Sequence, residues 1–292
     1  MRKPIAARAA TASLGLLTSA LAPAPALAQE AQDAGGGLPT DWSVSANVAF
    51  TTDYRWRGVS FSDGDFAVQG GFDLAHEGGF YAGVWASSIE TYGGILDTQV
   101  IETLDENGAA VSLPVATFLS GGETELDVYA GFSGGTDVFA YDLGVLWYFY
   151  PGSFVDTDYG EVYGSLSTKT GAATLTGGVG YIWDQDNTFG GDNAYVFAAL
   201  STPLGGTGAA FDAHLGYTEG AFALANDQLD WSLGVSYELA GLTLSAAYVA
   251  TDADTDVEIA PGVFNADVTE DLEDALEDVY GDTAIFTVSK TF

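Results

Sequence analysis

The chain contains no cysteine, and its 292 residues hold only seven lysines and arginines against 41 aspartates and glutamates. The first absence excludes a disulfide framework and any thiolate-held metal. The second removes the positive charge that phosphate backbones require, because nucleic-acid binding needs Lys and Arg to release condensed counterions. Nucleic acid is therefore not a partner. Long apolar runs are scarce as well. Past the N-terminal region no stretch of about 20 apolar residues occurs, which excludes an ordinary helical membrane span. In their place stand 38 glycines and an aromatic fraction of 13%, a composition suited to many strands separated by tight turns.

Residues 1–28 read as a cleaved export signal. Arg2, Lys3 and Arg8 form a basic start, Ala9 to Leu21 an apolar run too short to span a bilayer, and Ala26-Leu27-Ala28 a small-residue cleavage site. Removing this segment takes three basic residues and no acidic one, leaving four against 41 and a formal charge of −37. Residues 29–41 then read as a flexible periplasmic leader, and residues 42–292 as one domain.

That domain is organised around Trp42 to Arg57. Trp42, Val44, Ala46, Val48, Phe50, Thr52, Tyr54 and Trp56 share one face of an extended strand, with Ser43, Ser45, Asn47, Asp53, Arg55 and Arg57 among those opposite. An aromatic near each end of the apolar face suits a wall that meets two water interfaces, so the strand is expected to face lipid from Trp42 through Trp56. The same alternation returns at Phe66 to Ala75, Phe80 to Ile89, Glu123 to Ser133, Val138 to Tyr150, Tyr159 to Lys169 and Ala172 to Trp183. It continues at Asn193 to Thr202, Thr207 to Thr218, Gln228 to Glu238, Leu242 to Ala250 and Asp282 to Phe292.

The connections sort by length. Every second one is tight and Gly-rich, such as Glu77-Gly78-Gly79, Thr170-Gly171 and Ala240-Gly241, and the others are longer and polar. About twelve strands with this asymmetry predict an all-β fold: a single closed antiparallel transmembrane β-barrel with short periplasmic turns and long external loops. The last strand ends on Phe292, with Phe286 and Val288 on the same face, and its pairing with the first would remove both free edges. Two external loops are long. Residues 90–122 are expected to carry a hairpin, Gln99 to Leu104 and Ala110 to Leu119, around Asp105-Glu106-Asn107-Gly108. Within 251–281, Leu272, Ala275, Leu276 and Val279 fall at helical spacing inside Asp267 to Tyr280.

Thr52-Asp53-Tyr54-Arg55-Trp56-Arg57-Gly58-Val59-Ser60 resembles the TorF family of porins, Gram-negative outer-membrane proteins. Ser45 with Asn47-Val48, Gln69-Gly70-Gly71-Phe72-Asp73, Gly79-Phe80-Tyr81 through Gly83, and Trp85 to Ser87 extend the likeness. So do Glu125-Leu126-Asp127 with Tyr129-Ala130-Gly131, Tyr141-Asp142 with Gly144, and Tyr150-Pro151-Gly152. Ser88-Ile89 departs from the family, whose members usually carry Asn after that Ser. The resemblance implies a diffusion pore in the bacterial outer membrane. It implies no catalytic residues.

Alternation places Asp53, Arg55, Arg57, Asp73, Glu125, Asp127, Asp142, Glu161, Lys169, Asp212, His214 and Asp230 on the inward face. Carboxylates outnumber bases there, so a water-filled lumen would favour small cationic or neutral solutes. The competing expectation is a narrow barrel in which Arg55 and Arg57 pair with wall carboxylates and fill it, leaving a non-conducting structural or adhesion barrel. Asp184, Asp186 and Asp192, and separately Asp252, Asp254 and Asp256 with Glu258, are weak calcium candidates, because neither run has the helix-loop-helix glycine placement. Loosely held divalent ions are also expected to bridge these loops to lipopolysaccharide phosphates. His214 is expected beside Asp212. Neither histidine has a serine two residues away, so the chain reads as no enzyme and needs no cofactor. The Phe292 terminus resembles the signal read by the outer-membrane assembly machinery.

Overall fold

The computed structural model describes residues 39, 41–90, 92–104, 110–120, 122–153, 157–188, 190–223, 227–253 and 276–292, with backbone alone between 92 and 120. The export signal, nearly all of the leader, the Asp105–Gly108 turn, Asp254, Asp256 and Glu258 lie outside these residues. So does the helical pattern before residue 276.

Twelve strands close into one barrel in which every neighbouring pair is antiparallel. In chain order they are β1 (Trp42–Thr51), β4 (Ala67–His76), β5 (Phe80–Ser88), β8 (Thr124–Gly135), β9 (Phe139–Phe149) and β10 (Tyr159–Thr170). Then come β11 (Ala173–Ile182), β12 (Asn193–Pro203), β13 (Ala209–Gly220), β14 (Asp227–Leu239), β15 (Leu242–Thr251) and β16 (Thr283–Thr291). Two small pairs stand apart from the wall: β2 (Arg55–Trp56) with β3 (Val59–Ser60), and β6 (Tyr92–Leu104) with β7 (Ala110–Ser120). The latter is the hairpin expected within 90–122, with its first strand starting seven residues earlier, at Tyr92 rather than Gln99. Residues 276–280 form one helical turn, α1, at the end of the segment expected to be helical.

Period-2 alternation decides which way each side chain points. Phe72, Leu143 and Phe286 on the outer face are 63%, 59% and 59% exposed, while Tyr148, Glu125 and Glu161 on the inner face are 0% exposed. A wall apolar outside and polar within is the inverse of a soluble barrel and fits a solvent of lipid. Strands of 9 to 13 residues suit the span of a tilted membrane strand.

The seam closes where β1 meets β16, with Asn47 opposite Thr291 and Thr51 opposite Thr287. Phe292 extends it, its N–H donating to Ala46 O at 2.8 Å and its carbonyl accepting from Ala46 N at 3.3 Å. Tight turns join β4–β5, β8–β9, β10–β11, β12–β13 and β14–β15, and the long connections sit at the other end. At the β14–β15 turn Ala240 and Gly241 have φ of 53° and 76°, the left-handed pair that a two-residue hairpin requires.

Inside, glycines are matched to tyrosines across strands. Gly83 lies opposite Tyr129, Gly131 opposite Tyr81, and Gly144 opposite Tyr163. The hydroxyl end of each ring lies over its glycine, in space a Cβ would occupy. Wide aromatic side chains thereby tile the wall.

Candidate functional site

The first strand stops earlier than its alternation suggests. Past Thr51 the chain turns inward, so Tyr54 and Trp56, expected on the lipid face, are each only 3% exposed and stand inside the barrel. The correction has a local cause. Asp53 collects three donors: Ser60 Oγ at 2.6 Å and Ser62 Oγ at 3.1 Å on Oδ1, and Arg55 Nε at 2.5 Å on Oδ2. Tyr54 N donates to Ser62 Oγ at 2.8 Å, and Phe61 N to Tyr54 O at 2.7 Å. These bonds fold residues 53–62 into a hairpin, where a continuing strand would leave the same groups spaced along a wall. Its tip is Arg57-Gly58, with φ of 52° and 84°, the pair of left-handed residues of a type I′ turn. Gly58 has little alternative, because a Cβ there would lie 2.5 Å from Thr251 Cγ2 and 2.9 Å from Asp230 Cβ.

The hairpin crosses the lumen. β1 and β11 stand six strands apart in a ring of twelve, hence diametrically opposed, and Arg57 reaches the far wall around β11. Its Nη2 pairs with Glu161 Oε1 of β10 at 2.5 Å. The guanidinium carbon sits 4.1 Å from the centroid of a Trp56 ring and 4.3 Å from that of the Tyr195 ring on β12. On β11 between them, Gly180 leaves the space open: a Cβ would collide with Glu161 Oε1 and lie 2.9 Å from Arg57 Nη2. Gln228 Nε2 on β14 donates to Arg57 O at 3.2 Å. At the other side of the hairpin, Arg55 Nη1 donates to the carbonyls of Gly58, Val279 and Gly281 at 3.1, 3.0 and 2.8 Å, and Nη2 to Asp278 O at 3.1 Å. A cation on the last carbonyls of a helical turn is the favourable polarity.

Tyrosine hydroxyls complete the belt. Glu125 accepts Tyr54 OH at 2.6 Å on Oε1 and Tyr150 OH at 3.0 Å on Oε2. Glu161 Oε2 accepts Tyr148 OH at 3.0 Å. Three buried polar atoms at the tip, Arg57 Nη1, Asp230 Oδ2 and Gln228 Oε1, have no hydrogen-bond partner among the described residues, and neither has Asp127 Oδ1 on β8. Buried polar groups are usually satisfied, so such a cluster calls for an explanation.

The structure thus gathers Asp53 with Arg55, and Arg57 with Glu161. Asp127 stands within electrostatic reach of both Glu125 and Glu161. The remaining inward residues are distributed along the wall. Asp142 accepts Tyr81 OH at 2.5 Å, Asp73 accepts Tyr129 OH, and Asp212 accepts Ser236 Oγ at 3.1 Å. Lys169 stands half-buried at the short-turn end. His214 corrects an expectation: its Nε2 meets Tyr195 OH at 2.7 Å and Asp230 Oδ1 at 3.3 Å, in place of Asp212. Residues two apart on one strand stand farther from each other than close cross-strand neighbours. With His214 opposite Ser232, Asp230 is the diagonal partner.

Among the described residues, Asp184, Asp186 and Asp192 included, no group of three or more metal-ligating side chains occurs, and Asp254 and Asp256 lie outside them. Asp192 accepts Tyr181 OH at 2.8 Å, Asp252 accepts Leu229 N at 2.6 Å, and Asp184 and Asp186 are exposed. At the short-turn rim, His76 Nε2 meets Asp41 Oδ2 at 2.8 Å, and this hydrogen bond holds the Asp41 carboxyl below the ordinary aspartate value.

Fold and site together define a class: a closed twelve-strand membrane barrel whose lumen is bridged by a hairpin from its first connection. Within that class the chain belongs to the family described as "Bacterial protein of unknown function (Gcw_chp)", whose model matches residues 34–292. No curated protein matches it. Among solved structures, an outer membrane channel from Pseudomonas putida is 11% identical with a TM-score of 0.48, over 88% of this chain and 97% of that one. The NanC porin is 10% identical at 0.46, over 85% and 98%, and a TodX monoaromatic hydrocarbon channel mutant 14% identical at 0.46, over 87% and 90%. These are likenesses of fold.

Proposed function

We propose that the protein is an outer-membrane channel for passive diffusion of small, preferentially cationic or neutral solutes, narrowed by its luminal hairpin. The observation that carries this reading is the inner wall. Asp73, Glu125, Asp127, Asp142, Glu161, Asp212 and Asp230 all face inward, while Arg55 and Arg57 on the hairpin are each engaged by a carboxylate. A low-dielectric tube with surplus negative charge attracts cations and repels anions. The resemblance to TorF-type porins supports the same reading, and the nine residues Thr52 to Ser60 that carry it coincide with the hairpin. Transfer would follow the concentration gradient, without cofactor or catalysis. Export through the 1–28 signal, recognition of the Phe292 strand by the assembly machinery, and contact of the acidic loops with lipopolysaccharide through divalent ions belong to this proposal.

Planar-bilayer recording on the refolded barrel tests it. Single-channel steps and a cation-selective reversal potential are expected, sharpest at low salt because the carboxylate field is screened over about 10 Å at 0.1 M. Anion preference, or no steps, overturns it. A second reading, a non-conducting structural or adhesion barrel, is favoured by the complete burial of Glu125, Glu161 and Tyr148 at the level of the hairpin. Recording on the unsubstituted protein separates the two, since a channel conducts with the hairpin docked and a plugged structural barrel is silent until the hairpin is released.

A further inference from the structure

We propose that the cleft holding the Arg57 side chain is a binding site for a free guanidinium or alkylammonium group, and that Arg57 is its built-in occupant, which a cationic solute of that class displaces. The role in passage rests on the channel reading; the site itself does not.

The surroundings of Arg57 match a planar cation on each side. The centroids of a Trp56 ring and of the Tyr195 ring lie 4.1 and 4.3 Å from its guanidinium carbon, and a Glu161 carboxylate oxygen lies 2.5 Å from Nη2. Stacking between rings with a hydrogen-bonded carboxylate is how proteins recognise a delocalised, weakly hydrated cation. Gly180 keeps the cleft open where any other residue would fill it. This is a built pocket, and its present occupant arrives on a tether.

That tether fits imperfectly. Arg57 Nη1 is buried without a partner while Asp230 Oδ2 and Gln228 Oε1, two acceptors on the wall behind the tip, are buried and unmatched as well. A guanidinium offers five N–H donors in a fixed fork, and one free of the backbone can turn to use acceptors that the hairpin's geometry leaves idle. The unmatched Nη1 donor weakens the docked side chain relative to release.

The test uses the full-length barrel, folded in detergent, and methylguanidinium as the probe, against sodium at equal ionic strength and urea as a neutral analogue. Arg57→Ala empties the cleft. Tryptophan fluorescence reads Trp56, with Trp56→Phe in the same background removing its contribution, and the thermal midpoint gives a second signal. In R57A, methylguanidinium is expected to shift both signals and to bind at least about tenfold more tightly than to the unsubstituted protein, where a tethered group at millimolar effective concentration competes. Sodium and urea should leave both signals still, and adding Glu161→Gln should abolish the response. Equal titrations with and without Arg57, or an equal response to sodium, overturn the proposal. Should R57A fail to fold, Arg57→Gly empties the cleft as well and suits the left-handed backbone at that position. A barrel that binds the probe yet passes no current refutes the channel and leaves the site standing; one that conducts and does not bind refutes the site alone.

Discussion

Replacing Asp53 with alanine should release the hairpin without disturbing the wall. Asp53 is 3% exposed and accepts three hydrogen bonds, from Ser60, Ser62 and Arg55. Bonds to a charged group contribute about 1.5–3 kcal/mol each in isolation, but these three share one carboxylate and do not add. Breaking a buried pair by removing one partner costs about 3–5 kcal/mol, largely because the surviving charge is stranded. Here the stranding is partial, since Arg55 keeps four carbonyl acceptors, so the low end, about 3 kcal/mol, is the appropriate figure. That corresponds to a factor of about 150 in the balance between docked and released hairpin. No strand of the wall hydrogen-bonds to β2 or β3 to complete its ladder, so the barrel should stay closed. Single-channel recording should show the time spent at high conductance rising by about two orders of magnitude, with slower migration on heating in detergent gels confirming a folded barrel. An intact D53A barrel with unaltered current would refute the claim that this hairpin narrows the lumen.

Gly180→Ala should act at the other end of the bridge, pushing Glu161 away from Arg57 and raising conductance. Gly177→Ala on the outer side of the same strand, where the nearest atom lies 3.8 Å away, should change nothing; equal effects would count against the contact. At the short-turn rim, the lowered Asp41 carboxyl lends stability that is present above its unfolded value of about 3.9 and lost as pH falls through the lower folded value. NMR titration should place Asp41 below a free aspartate and His76→Ala should return it to the ordinary range; an unchanged titration refutes the pairing. Deleting Phe292 removes the two backbone bonds to Ala46 that end the seam. Less folded barrel should reach the outer membrane, and full recovery would argue against a role in closure or assembly.

Period-2 alternation exposed the wall because lipid outside and a polar lumen inside act on every strand in turn. Val128 and Val145 face out, and Glu125 and Asp142 face in, as their parity requires. The same signal failed at Tyr54 and Trp56. Their parity continues that of Phe50, and an aromatic buried against the lumen alternates just as one buried in lipid does. The information lay elsewhere: an Arg57-Gly58 turn pair flanked by Trp56 and Val59, with Asp53 on one limb and Ser60 and Ser62 on the other. That Arg57 would pair with a wall carboxylate was legible from the scarcity of bases among inward carboxylates; which carboxylate was not. Arg57 meets Glu161 over 104 residues, and only strand count and register bring those positions face to face.

The hairpin hangs from β1, one of the two strands that close the ring, and Thr52 is bonded to Phe286 on the other. A cork tied to the lip is not lost when it lets go: it stays within a few residues' reach of its seat, and its return is a local swing rather than a search through the surrounding solution.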